Sequence, residues 1–222
     1  MKRIDCFNGD ADGFCALHQL RLAEPTDSEL ITGVKRDIQL LERVKHHRDC
    51  EFTVLDISLD RNRDALTQLL EQGNRIRWFD HHFPGAIPES PLLHTTIETN
   101  PEVCTSILVD QQLDGKFREW ALTAAFGDNL HGSAQRLAEE AGLDAKQQFQ
   151  IRELGELLNY NSYGETVADL HFPPDQLYRH LQPHETSWSF IHESTALPQL
   201  REGHREDQSK ARALSPEVET SA

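Results

Sequence analysis

The chain has 222 residues, of which 37% are hydrophobic and 27% charged, and its 22 lysines and arginines against 37 aspartates and glutamates leave a net charge of −15. This is an ordinary globular composition, enough for one sizeable domain or one domain and part of another. No apolar run approaches the ~18 residues of a membrane span, and the acidic balance argues against a surface that wraps long nucleic acid, although bound divalent ions would cancel several charges where a phosphate sits.

Lys2–Asn8 is apolar enough for a first strand, and Asp12–Leu22 follows with Phe14, Leu17, Leu20 and Leu22 at helical spacing. Glu29–Val34 reads as a second strand, and Asp37–His47 places Ile38, Leu41 and Val44 on one helix face. Glu51–Ile57 is a short apolar run of the buried parallel-strand kind. Arg61–Gln72 predicts a helix stopping at Gly73, Arg75–Phe79 a strand and Leu92–Glu98 another. Helices are expected over Cys104–Leu113, Phe117–Phe126, Ser133–Ala141 and Ala145–Tyr160. Beyond Tyr160 the pattern weakens around Pro173, Pro174, Pro183 and Pro198, and from Arg201 the chain is charged and poor in apolar residues. Alternating strands and helices predict an α/β fold with a parallel five-stranded sheet flanked by helices, followed by a helical region and a linker-like tail. The expected organisation is an α/β domain over residues 1–160, a peripheral helical and loop extension over 161–200, and a charged linker over 201–222.

The N-terminus lacks the charged-then-apolar order of a signal peptide, since Asn8, Asp10 and Asp12 arrive too early, so the cytoplasm is the expected compartment. Cys6, Cys15, Cys50 and Cys104 form no CxxC pair and read as reduced, buried thiols.

The polar residues gather at strand ends. Asp10 and Asp12 follow the first strand, Asp56 closes TVLD, and Asp80, His81 and His82 close RIRWF. In an open parallel sheet these are carboxyl ends, outside which ligands bind. Singly, each has an ordinary reading: turn formers in NGDADG, a helix cap at Asp56, surface histidines, a helix stop at Asp128 in GDN. Their joint arrival at one rim favours a metal site. Carboxylates with imidazoles suit manganese, magnesium or zinc, and one shared aspartate can bridge two ions that act on a phosphoryl group. NGDADG also opens like a calcium loop, but the twelfth position from Asn8 is Gln19 and a strand precedes it, so that reading fails. GNRIRW lacks the GK[ST] ending of a P-loop.

FNGDADGFCA, VLDIS, DHH at Asp80–His82 and FGDN at Phe126–Asn129 resemble, in order and spacing, the four motifs of the DHH phosphoesterase superfamily. That superfamily includes RecJ-type exonucleases, nanoRNase/pAp phosphatases, cyclic-dinucleotide phosphodiesterases, family II pyrophosphatases and exopolyphosphatases. The likeness covers residues 2–132, and NPEVCTSILV is similar to the segment after the DHH motif that starts a helix near the site. It implies two Mn2+ ions, with Mg2+ or Co2+ as alternatives. Asp10 would bind one ion and Asp12 the other, Asp56 would bridge them, and His81 and Asp128 would complete the second. His82 would face the substrate, Asp80 would orient an imidazole, and Thr105 and Ser106 would lie near phosphate. Two positions depart from the pattern: Cys6 stands where several members carry a histidine, and Asn8 where RecJ-type members carry an acid. The first ion is therefore expected to be held by Cys6 or Asn8, or more loosely.

The resemblance implies a divalent-metal-dependent phosphoesterase acting on a phosphorylated small molecule or short oligonucleotide. It leaves two alternatives: an exopolyphosphatase or pyrophosphatase, and a non-catalytic nucleotide-binding module. Expected partners exclude a membrane, and exclude long nucleic acid through this domain alone. They include a C-terminal DHHA1 domain, whose GGGH-like motif is matched only poorly by REGH at Arg201–His204, or a second copy of the chain.

Overall fold

A computed structural model describes residues 1–214. Five strands, β1 (Arg3–Phe7), β2 (Glu29–Ile31), β3 (Glu51–Leu55), β4 (Arg75–Asp80) and β5 (Leu93–Ile97), form one sheet in the order β2-β1-β3-β4-β5, with every neighbouring pair parallel. The register pairs Cys6 with Val54 and Val54 with Trp78, and one residue on it pairs Phe7 with Leu55 and Leu55 with Phe79. Because side chains alternate across a strand, these two rows point to opposite faces. Cys6, Val54 and Trp78 enter one core with Leu40, Leu41, Leu66 and Leu69. Phe7, Leu55 and Phe79 enter the other, beneath the helices. A sheet covered on both faces explains why its strands read as continuous apolar runs.

The helices are α1 (Ala11–Ala23), α2 (Arg63–Glu71), α3 (Thr105–Gln112), α4 (Arg118–Gly127), α5 (His131–Glu140), α6 (Ala145–Tyr160), α7 (Pro174–Leu181), α8 (Ser187–Glu193) and α9 (Ala196–Leu214). Among the described residues no helix is long and apolar enough to cross a membrane.

Two expectations are corrected. Asp37–His47 is not an α-helix: it holds one 3-10 turn, Leu40–Arg43, between irregular turns. The Asn62 amide accepts from the Leu41 N–H at 3.2 Å and donates to the Ile38 carbonyl at 2.6 Å, meeting by side chain the backbone groups that a helix would pair internally. The buried set is Leu40, Leu41 and Val44, with Ile38 exposed.

The order does not weaken after Tyr160. Leu177, Tyr178, Leu181, Phe190, Leu197 and Leu200 of α7–α9 are fully or almost fully buried in the same core as α1 and α4. The prolines punctuate these helices rather than break them. Pro174 is the first residue of α7 and Pro198 the third of α9, where a missing N–H costs no helical hydrogen bond. REGH forms one turn of α9, and the charged stretch beyond it remains helical to Leu214, with Arg201 paired to Glu153 at 2.7 Å and Asp207 accepting from the Tyr160 hydroxyl. The rest of the linker expectation, residues 215–222, lies outside the described residues.

Candidate metal centre

The carboxyl ends of β1, β3 and β4 lie side by side at the middle of the sheet, and β2 flanks them. Asp10 follows β1 as the N-cap of α1, its Oδ1 accepting from the Asp12 and Gly13 N–H groups, both at 3.1 Å. The turn is tight: a Cβ on Gly13 would lie 2.1 Å from the Asn8 carbonyl oxygen, so this position takes only glycine.

Asp12 is fully buried, and its two oxygens accept from the N–H groups of Thr105 (2.8 Å) and Ser106 (2.7 Å), which open α3. One carboxylate thus sits in the first turn of α1 and at the N-terminus of α3, where both helix dipoles favour negative charge. Thr105 and Ser106 are themselves wholly buried. The Thr105 hydroxyl reaches Asp56 Oδ1 at 3.4 Å, and Ser106 Oγ accepts from Gln19 Nε2 at 2.8 Å, so these residues hold the acidic side chains from behind.

Asp56 leaves β3 with φ of 55°, a left-handed conformation that costs a non-glycine residue energy and turns its side chain into the cup. His81 Nε2 lies 3.4 Å from Asp56 Oδ1 and 4.0 Å from Asp12 Oδ2. His82 Nδ1 lies 2.7 Å from Asp80 Oδ1, and because a carboxylate only accepts, that nitrogen carries the proton and Nε2 is left for the cleft. Asp80, buried beneath, also accepts from the His81 N–H at 2.9 Å, so the imidazole it orients is His82. Asp128 arrives from the C-terminus of α4.

Donors about 2 Å from a shared ion stand about 3–4 Å from one another. Two such groups occur here: Asp12, His81 and Asp128, and Asp56, His81 and His82, each with its ligand atoms within 4.8 Å. Carboxylate and imidazole donors in these positions fit a divalent ion. Asp10 belongs to neither group.

Cys6 and Asn8 divide. Cys6 lies in the core on the other side of the sheet, where burial and the charges of Asp5 and Glu29 push its thiol above the ordinary value. Asn8 is buried beside the cup, donates to the Lys35 carbonyl at 3.4 Å, and has an Oδ1 with no hydrogen-bond partner.

Burial, then repulsion from Asp10 and Asp12, raises Asp56 well above the usual carboxyl range. Burial with Asp12 and Asp10 pushes Asp128 up to about 8. Burial would raise Asp10 too, but the Lys35 charge and hydrogen bond, with the Gly13 N–H, bring it below its ordinary value. His82 is raised by its hydrogen bond to Asp80 against the opposing effect of burial. The cup is thus starved of positive charge, which is the electrostatic condition that draws a cation.

Three residues of this site went unread in the sequence: Lys35, Asn159 and Tyr163. Lys35 Nζ lies 2.5 Å from Asp10 Oδ2, 3.0 Å from Asn159 Oδ1 and 3.3 Å from Asp128 Oδ1. Burial would lower its pKa, but Asp10 and Asp128 outweigh that and keep the ammonium charged. Lys35 follows β2 in GVKRD, so the strand-end rule that marked Asp10 and Asp56 also covers it. A cavity of about 440 Å³ opens beside it, lined by Lys35, Arg36, Ser162, Tyr163, Gly164 and Glu165. A separate cavity of about 380 Å³, lined in part by Arg3, Arg21, Glu24, Glu51 and Arg77, is away from these carboxylates. Three of its four arginines are already paired, Arg3 with Glu51, Arg21 with Asp5 and Arg77 with Glu24.

Two solved structures share this architecture. One, a crystal structure of exonuclease RecJ bound to manganese, matches with a TM-score of 0.57 and 20% identity over 96% of this chain and 65% of that one. The other, RecJ from Thermus thermophilus in complex with Mn2+, matches with a TM-score of 0.51 and 17% identity over 99% of this chain and 38% of that one. The fold is that of these two RecJ structures, and this chain spans less than two thirds of the length of either. No family model matches the sequence, and no curated protein matches it.

Proposed function

We propose that this chain is a divalent-metal-dependent phosphoesterase that hydrolyses a phosphodiester in a short nucleotide or oligonucleotide. The observation that carries this reading is the pair of ion-holding groups at the sheet's carboxyl edge, Asp12–His81–Asp128 and Asp56–His81–His82, which meet at His81. The two fold relatives are manganese complexes, and manganese suits this donor set. When bound, a divalent ion supplies Lewis acidity toward phosphate oxygens and acidifies a water.

The chain's own residues supply position and protons. The N-terminus of α3 fixes the Asp12 carboxylate, the left-handed turn fixes Asp56, and Asp80 fixes the His82 ring. With its pKa raised by Asp80, His82 keeps its second proton to higher pH than a free imidazole. As water oxygen bonds to phosphorus and the bond to the departing oxygen breaks, His82 Nε2 gives that oxygen its proton. Arg36 offers a charge to a neighbouring phosphate, and the exposed Tyr163 ring offers a face on which a base can stack. The net charge of −15 favours a short substrate over a long polyanion.

Incubating the protein with Mn2+ and either a dinucleotide or inorganic polyphosphate tests the reading. Mononucleotide release supports it. Orthophosphate release from polyphosphate alone moves the assignment to an exopolyphosphatase, and nucleotide binding without hydrolysis at any metal concentration moves it to a non-catalytic module.

A further inference from the structure

Lys35 is held as firmly as the carboxylates it meets. Its backbone N–H donates to the Ser162 carbonyl at 3.0 Å, and its own carbonyl accepts from the Asn8 amide at 3.4 Å. Its ammonium has three donors and meets three oxygens from three elements: Asp10 at the start of α1, Asp128 at the end of α4 and Asn159 in α6. Asn159 is oriented in turn, because its Nδ2 donates to the Tyr163 hydroxyl at 3.2 Å and leaves Oδ1 toward the lysine. The Tyr163 ring lies 5.9 Å from Nζ.

Asp10 is correspondingly engaged, with the Asp56 carboxyl hydrogen-bonded to it as well. Its Oδ1 takes two backbone N–H groups and its Oδ2 takes the ammonium, and it alone of the five expected ligands stands outside both ion-holding groups. Cys6 faces the opposite core and supplies no replacement. From this geometry we infer that the Lys35 ammonium is a built-in cation occupying the place of one of two ions, so that the site takes a single divalent ion per chain, at the His81 imidazole that the groups Asp12–His81–Asp128 and Asp56–His81–His82 share. The inference rests on the metal-dependent reading above and specifies it further.

Charge balance agrees with the geometry. Four carboxylates, one ammonium and one divalent ion leave a single negative charge in the cup, while a second divalent ion would reverse the sign. Such an ion at Asp10 would sit about 4 Å from the ammonium in a partly buried site, a repulsion of several kcal/mol. Removing the ammonium frees Asp10 Oδ2, and Asn8, two residues before Asp10 and bonded to the Lys35 carbonyl, carries a buried Oδ1 without a partner that can serve as a neutral ligand.

The test is the number of Mn2+ ions bound per chain, measured by equilibrium dialysis with metal analysis on the whole protein. The wild type should bind one, Lys35→Arg one, and Lys35→Met two. Two ions on the wild type, or one on a folded Lys35→Met variant, overturns the inference while leaving the metal-dependent reading standing. No binding to the wild type at millimolar Mn2+ overturns both. Should Lys35→Met fail to fold, the wild-type and Lys35→Arg counts decide, since two ions on either overturns the inference.

Discussion

Metal binding at this site should release protons, and the structure sets how many. Burial and the charges of Asp12 and Asp10 push Asp128 up to about 8 from 3.8, and burial with the same neighbours raises Asp56. A carboxyl titrating near 8 is roughly nine-tenths protonated at pH 7. An ion that requires Asp128 as a carboxylate therefore displaces roughly one proton from it at pH 7, fewer as the pH passes about 8, and the raised Asp56 adds to the release in the same direction. The sign for stability follows. Both carboxyls titrate higher folded than unfolded, so without metal their contribution is full below about pH 4 and is lost as pH rises, through about 8 for Asp128. Bound Mn2+ acts in the opposite direction, so the rise in Tm it produces should grow from pH 6 to pH 9. Isothermal titration of Mn2+ at pH 7 in two buffers of different ionisation enthalpy gives the proton count. Asp128→Asn, which imitates the protonated carboxyl, should lower that count by about one and weaken binding. Equal heats in both buffers would refute the claim that burial and mutual repulsion hold these carboxyls protonated.

Further outcomes follow from single contacts. Asp12→Asn leaves one of the Thr105 and Ser106 N–H groups without its charged acceptor and should cost the metal-free protein about 2–3 kcal/mol in urea unfolding; an unchanged midpoint would count against the Asp12–α3 linkage. A Cβ on Gly155 would lie 2.1 Å from the Thr123 carbonyl of α4, so Gly155→Ala should cost about 1–3 kcal/mol and weaken Mn2+ binding by shifting Asp128. Wild-type affinity in that variant would show that Asp128 does not depend on the α4–α6 approach. Burial, opposed by a hydrogen bond to the His184 carbonyl at 2.7 Å, lowers His18 to about 4 from 6.5. Its folded pKa lies below its unfolded one, so the stability it contributes is present above pH 6.5 and is lost as pH falls toward about 4, by about 3 kcal/mol at the limit. His18→Gln should flatten that part of the pH profile, and a slope equal to wild type would refute the assignment.

The sheet was legible because a parallel strand buried on both faces leaves an apolar run, and the cup because Asp10, Asp56 and His81 each stand directly beyond such a run. Segments whose stability comes from distant partners were not. The Leu40–Val44 stretch has the right apolar spacing for a helix, but its backbone is answered by Asn62, over twenty residues away. α7–α9 were hidden by prolines that sit at helix starts, where they resemble breaks until the structure shows them in first turns. Lys35 carried a readable signal in its place after β2, yet a search for metal ligands passes over a cation. Asn159 carried none, being one polar residue within α6 that faces inward only because Gly155 lets α6 approach α4.

A metal-dependent hydrolytic centre in the strand-end cup would depend above all on Asp56. It lies 3.4 Å from His81 and leaves β3 at the middle of the cup. Mn2+-dependent cleavage of a dinucleotide should be present in the wild type, absent without metal, and lost by several orders of magnitude in Asp56→Ala. Undiminished cleavage by a folded Asp56→Ala protein would exclude such a centre.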